Sequence, residues 1–265
     1  MVSAVLITSN ALRHHFVANY LSDHLNLAGV VSEAKLASPQ GATVAEDEII
    51  KTHLQELKET EKEFFGGYEN FKIPKSSVLE IARGTSNDPA VFEWVKNKNP
   101  EYLILFGSSI IKDPLLSYFK DKVINMHLGL SPYYRGSGTN FWPLVFREPE
   151  CVGATIHLAT LEVDAGAILG QVRPDFVPGD NCHTLGFKTV IAGTQLLVKI
   201  IGAYNKGNLA GHRQNLSIGK VFKKKNFNAE AVLAMRKNFE TGMIEEYLND
   251  QADRNQQYPI ISPFL

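Results

Sequence analysis

The chain has 265 residues, of which 44% are hydrophobic and 21% charged, with a formal net charge of -1. At ~150 residues per domain it is long for one domain and short for two, and it carries enough apolar material for a sizeable core. The balanced charge argues against a phosphate-neutralising surface, so nucleic acid is not expected as a partner. No apolar run approaches the ~20 residues that span a bilayer. The first residues lack a basic region and a cleavage site and read as a strand, so no membrane association and a cytoplasmic location are expected. Cys151 and Cys182 offer neither a disulfide framework nor zinc spacing, and no metal is expected.

Val2 to Thr8 is an apolar run ending in turn formers, which predicts a buried strand. From Ala11 to Leu25 the apolar residues recur at helical spacing, and Leu27 to Ser32 is a second strand-like run. Strand–helix–strand favours a parallel sheet with a right-handed crossover. His14-His15 are adjacent rather than one turn apart, so they read as a solvated helix surface and not as a metal pair. Gly41 to Phe65 is acidic and amphipathic, a helix stopped at Gly66-Gly67. Lys72 to Asp88 reads as irregular, and Asn87 or Asp88 as the cap of a helix that ends before Pro100. Tyr102 to Phe106 is a strand, Pro114 to Phe119 a short helix, and Val123 to His127 another strand. The alternation predicts an α/β domain, doubly wound, with a mostly parallel sheet flanked by helices.

Beyond His127 the rhythm breaks. Leu128 to Thr139 is rich in glycine, Val152 to Leu158 and Ala167 to Phe176 read as strands, and Thr184 to Ala203 as a long helix. The expected layout is a catalytic domain over residues 1–205 and a partly helical C-terminal extension over 206–265. The extension holds a basic run (Lys220 to Lys225) and a helix from Ala229 to Leu248. That helix is either a dimer interface, giving a homodimer, or packed on its own domain.

Asn125 and His127 are polar residues two apart on one face of an otherwise apolar strand. In open α/β sheets, ligand sites lie beyond the carboxyl ends of strands. They are followed by Ser131-Pro132, Arg135-Gly136, Gly153-x-Thr155-x-His157 and Val163-Asp164-Ala165-Gly166. This ordered series, on Asn125, His127, Pro132, Gly136, Asp164 and Gly166, resembles the catalytic core of the folate-dependent formyltransferases. The resemblance is strong from Tyr102 to Gln171 and looser over the first 200 residues.

The resemblance implies a Rossmann-like fold and transfer of a formyl group from 10-formyltetrahydrofolate to a small-molecule primary amine. Asn125, His127 and Asp164 are then the catalytic residues. The Asn125 amide and a protonated His127 would donate to the developing oxyanion, while Asp164 favours the imidazolium and relays the proton. His157 and Gly136 are supporting residues. The resemblance also implies a pterin between two loops, held by Gly107, Ser109, Ile110, Ile111 and Lys112 on one side and by Thr160, Leu161, Glu162 and Val163 on the other.

Two departures bear on the substrate. Gly129 stands where the family often has Ser, which removes a hydroxyl beside His127. The turn from Thr8 to Arg13 has no glycine to bring backbone amides to a phosphate, which weakens a glycinamide ribonucleotide transformylase-like reading. Size and charge leave no room for a transfer RNA substrate. A nucleotide-linked amino sugar is the expected acceptor by elimination. Formyltetrahydrofolate hydrolysis at the same site and a non-enzymatic nucleotide-binding module are the rival readings.

Overall fold

The computed structural model describes residues 1–34 and 48–264. Its first half alternates strands and helices: β1 (Ser3–Ser9), α1 (Leu12–His24), β2 (Asn26–Glu33), α2 (Glu48–Phe65), β3 (Val78–Ile81), α3 (Pro89–Asn97), β4 (Tyr102–Leu105), α4 (Leu115–Phe119) and β5 (Val123–Leu128). Then come β6 (Tyr134–Gly136), α5 (Trp142–Val145), β7 (Ala154–Leu158), β8 (Ile168–Val172) and the long α6 (Cys182–Asn205). The chain closes with β9 (Lys220–Phe222), α7 (Ala229–Glu240), α8 (Met243–Asn249) and α9 (Gln251–Gln257).

Seven strands form one sheet in the order β3-β2-β1-β4-β5-β7-β8. β1 to β5 run parallel, and β7 pairs antiparallel with both β5 and β8. The apolar runs of the central strands follow from having both faces covered. Ala4, Leu6, Ile104, Ile124 and Met126 join one core cluster, with residues of α1 and α6. Val5, Ile7, Leu103, Leu105 and Val123 join a second cluster on the opposite face, with residues of α3 and α4. Alternate side chains of one strand thus feed two cores, each fully buried aliphatic residue contributing ~1.5–3 kcal/mol. Helix α6 has 24 residues and is apolar enough to cross a membrane by length and composition. Here it lies along the sheet, with Leu185, Val190, Leu197, Ile200 and Ile201 buried.

Several expectations need correction. The segment read as irregular contains β3, a four-residue strand beside β2 that carries no fully buried side chain and hence no strong hydrophobic period. Asp88 sits at the N-cap of α3 without a side-chain bond, and Asn87 turns away to bind Ile110 and Lys112. His14 is buried rather than solvated, with Nδ1 2.8 Å from the Thr8 hydroxyl. The segment expected as one helix from Ala229 to Leu248 is two, broken where Gly242 adopts φ +80°. Of the helix expected over Gly41 to Phe65, the part before Glu48 lies outside the described residues.

The C-terminal segment is tied into the chain. Val232, Met235, Ile244 and Tyr247 of α7 and α8 pack with Leu144, Val152, Phe176 and Leu185 in a third core. β9 pairs with β6, so a loop that follows β5 is braced from the far end of the sequence.

Candidate active site

Asn125 and His127 leave β5 on one face, while Met126 between them turns to the other face, against Gly193 and Thr194 of α6. Antiparallel register then sets His157 of β7 directly opposite Asn125, and Thr155 opposite His127. The loop after β7 brings Asp164 to the same place. A Cβ at Gly166 would run into the Leu158 carbonyl, so only glycine lets this loop close so tightly on the strand. Asp164 itself has φ +52°, a left-handed conformation that Asp and Asn adopt more readily than other side chains. Its carbonyl accepts from Gln214 Nε2 at 2.9 Å, and the same amide nitrogen reaches the Gly166 carbonyl at 2.6 Å.

The four side chains form one connected group. Asp164 Oδ1 lies 3.4 Å from His127 Nδ1 and 3.7 Å from His157 Nε2, and its Oδ2 accepts from the Gly136 backbone at 3.1 Å. His157 Nδ1 is 2.8 Å from the Leu158 carbonyl, an acceptor only, so that nitrogen carries the proton. His157 Nε2 is then free to accept from Asn125 Nδ2 at 3.0 Å. One N–H of the Asn125 amide is fixed in this way, and the other remains for a ligand.

Burial pushes the His127 pKa below its ordinary value, against the pull of Asp164. Burial also works to raise the Asp164 carboxyl, but the neighbouring His127 and the Gly136 amide outweigh it and hold the group down at about 2. Desolvation thus opposes the protonated His127 that the sequence leads one to expect, while the carboxylate at 3.4 Å favours it. The hydroxyl missing at Gly129 is supplied by another residue. Thr139 Oγ1 stands 3.2 Å from His127 Nε2, and a Cβ on Gly129 would lie 2.6 Å from it.

This group forms part of the lining of a cleft of about 1040 Å³. Gly107, Ser109, Ile110, Ile111 and Lys112 line it, as do Thr160, Val163 and Gly136. Leu161 and Glu162 do not reach it; they line a separate cavity of about 670 Å³ with Arg213 and Gln214. The Gly107 loop is shaped by its neighbours. A Cβ on Gly107, at φ +63°, would sit 2.5 Å from the His14 ring. Glu33, buried at the end of β2, accepts from the backbone of Ser109 and Gly84 at 2.8 Å each and from the Ser86 hydroxyl at 3.0 Å. Arg83 and Lys224 also line the cleft, and neither has a carboxylate partner among the described residues. Burial and the charge of Arg83 lower the Lys224 pKa. Thr139, Glu33, Gln214 and Arg83 had no signal in the sequence, because each is joined to the site by residues distant along the chain, whereas Lys224 belongs to the basic run that the sequence already showed.

A family profile described as formyl transferase matches residues 1–201. Solved structures share the fold at low identity. A sugar N-formyltransferase from Shewanella sp. is 17% identical with a TM-score of 0.56, covering 85% of this chain and 78% of that one. The phosphoribosylglycinamide formyltransferase of Anaplasma phagocytophilum is 16% identical with a TM-score of 0.55, covering 84% and 99%. The N-formyltransferase of Helicobacter canadensis, in complex with folinic acid and dTDP-3-aminofucose, is 17% identical with a TM-score of 0.53, covering 86% and 73%. With a match over residues 1–201, the chain belongs to the formyl transferase family.

Proposed function

We propose that this formyl-transferring enzyme takes the formyl group of 10-formyltetrahydrofolate and places it on the primary amine of a nucleotide-linked amino sugar. The observation that carries the reading is the convergence of Asn125, His127, His157 and Asp164 in one cleft. The folate reading is supported by two cleft loops that offer backbone donors and acceptors, and by the folinic acid bound to the Helicobacter canadensis protein. The acceptor reading is supported by Arg83 and Lys224, two cations without carboxylate partners among the described residues, which suit a diphosphate. The dTDP-3-aminofucose bound to that same protein has this chemistry.

In the proposed reaction the amine nitrogen attacks the formyl carbon, and the carbonyl electrons move onto oxygen. The free N–H of Asn125 donates to that oxyanion. His127, neutral at rest, takes the proton released by the attacking nitrogen, and Asp164 stabilises the imidazolium that results. As the oxyanion collapses, the bond from carbon to N10 breaks. His127 then returns its proton to N10, leaving a formamide and tetrahydrofolate. Asn125→Ala is expected to lower kcat ~10²–10³-fold by removing an oxyanion donor. His127→Ala is expected to lower it ~10²–10⁴-fold by removing the proton carrier.

The test supplies purified protein with 10-formyltetrahydrofolate and a panel of nucleotide-linked amino sugars, and follows tetrahydrofolate release. Amine-dependent release with appearance of the formamide is the expected result. Release at the same rate without any amine would replace this reading with hydrolysis. Transfer to glycinamide ribonucleotide but to no sugar would overturn the acceptor.

A further inference from the structure

Behind Phe141, which lines the cleft, α2, α6 and α7 meet around a cluster that takes no part in the proposed formyl transfer. His53 of α2 and Cys182 and His183 of α6 each offer a ligating atom, and the three atoms lie within 4.8 Å of one another. Both imidazoles are only 7% exposed. Among the described residues His53 Nδ1 is buried without a hydrogen-bond partner, and His183 Nε2 has only the Glu56 carboxylate, 3.7 Å away and beyond hydrogen-bond distance. A buried nitrogen with an unmet hydrogen bond is costly and calls for an explanation such as an ion. The two rings are 4.6 Å apart between centroids, and aromatic neighbours Phe141 and Phe227 close the apolar side.

The fourth side of the cluster is acidic. Glu56, one turn along α2 from His53, places Oε2 3.7 Å from His183 Nε2. The same oxygen is held by Arg236 of α7 at 2.8 Å. The first turn of α6 is rigid, because Asn181 and Thr184 form a reciprocal capping box around Cys182 and His183. Two of the ligands are therefore fixed in place, and the third projects from a neighbouring helix.

We infer that His53, Cys182 and His183, with Glu56 as the fourth donor, form a structural site for a thiophilic divalent cation of the zinc class. Two imidazole nitrogens, one thiolate and one carboxylate are a donor set that zinc binds tetrahedrally, at about 2.0–2.3 Å from each ligand. Donor atoms within 4.8 Å of one another need to close by only about 1 Å to meet such an ion. Binding displaces the thiol proton of Cys182 to solvent. The charge of Arg236 opposes the cation, and the two negative ligands offset it. The metal joins α2 to α6 and, through Glu56, to α7. All four protein ligands are donated to it, so it has a stabilising role and no open position for chemistry.

The test uses the full chain, stripped with a chelator, desalted and titrated with Co(II) and with Zn(II). One cobalt per chain is expected, with the visible bands of a tetrahedral site and a near-ultraviolet thiolate-to-cobalt band. Cys182→Ser should abolish the thiolate band, and both it and His53→Gln should weaken Zn(II) binding by more than about 100-fold. Cys151→Ser, at a buried thiol outside the cluster, should change neither. Circular dichroism checks that each variant is folded. If both variants unfold, the thiolate band and the Zn(II)-induced rise in Tm of the parent chain decide the matter. Failure of the parent chain to bind, or equal binding by parent and Cys182→Ser, would overturn the site. Formyl transfer is not a readout, so this result stands apart from that of the acceptor panel.

Discussion

Asp164 is held by opposing demands, and its substitutions separate them. Its carboxylate serves His127, while its backbone occupies a left-handed conformation at φ +52°. Asp164→Asn keeps a side chain that tolerates this backbone, so thermal stability is expected to change little while transfer falls steeply. Asp164→Ala should lose transfer similarly and add a backbone penalty of about 1 kcal/mol, seen as a lower denaturation midpoint. The pH profile tests the charge state. His127 is depressed below its ordinary value by burial and must be neutral to accept a proton, so kcat/KM should hold through pH 6.5 and fall only as acid reaches the lowered pKa. Asp164 pulls that pKa upward, so Asp164→Asn should move the acid limb to still lower pH as well as reduce the plateau. A limb that stayed in place would mean that another group titrates.

At the scale of elements, the site depends on how tightly β7 and the loop after it close on β5. A Cβ at Gly166 meets backbone at the Leu158 carbonyl, where no flexible side chain can yield. Gly166→Ala is therefore expected to displace Asp164 and lower kcat without greatly altering donor affinity, which steady-state kinetics separate. Glu33 makes the opposite case. Its carboxylate ties the end of β2 to the Ser109 amide in the Gly107–Lys112 loop and to Gly84 and Ser86. Glu33→Gln turns one acceptor into a donor that faces an N–H, so KM for the folate donor should rise about 10-fold, with kcat changed less. The strands β3, β6 and β9 show why short elements escaped the sequence reading. They have four, three and three residues, too few for a period, and their place is set by the strands they pair with.

At the scale of the whole molecule, the end of the chain maintains a site built mostly by its middle. Gln214 braces both carbonyls of the Asp164 loop, β9 pairs with β6 near Gly136, and α7 and α8 cover the third core. Ending the chain after Asn205 should expose Leu144, Val152, Phe176 and Leu185, giving an aggregation-prone protein by light scattering and no transfer activity. The doubly wound sheet and the trio of Asn125, His127 and Asp164 were legible without coordinates. Buried strands carry apolar runs, helices carry their own period, and a polar pair on a core strand breaks the pattern visibly. The tertiary structure decided what depends on distance in space: the burial of His127 beside Asp164, the hydroxyl of Thr139 close to His127, and the brace from Gln214. It also brought His53 to Cys182 and His183, a cluster that linear spacing argued against. Periodicity and local motifs are properties of neighbouring residues and can be read along the chain. Desolvation, charge pairing and ligand clusters arise between residues far apart in sequence, and only folding brings those together.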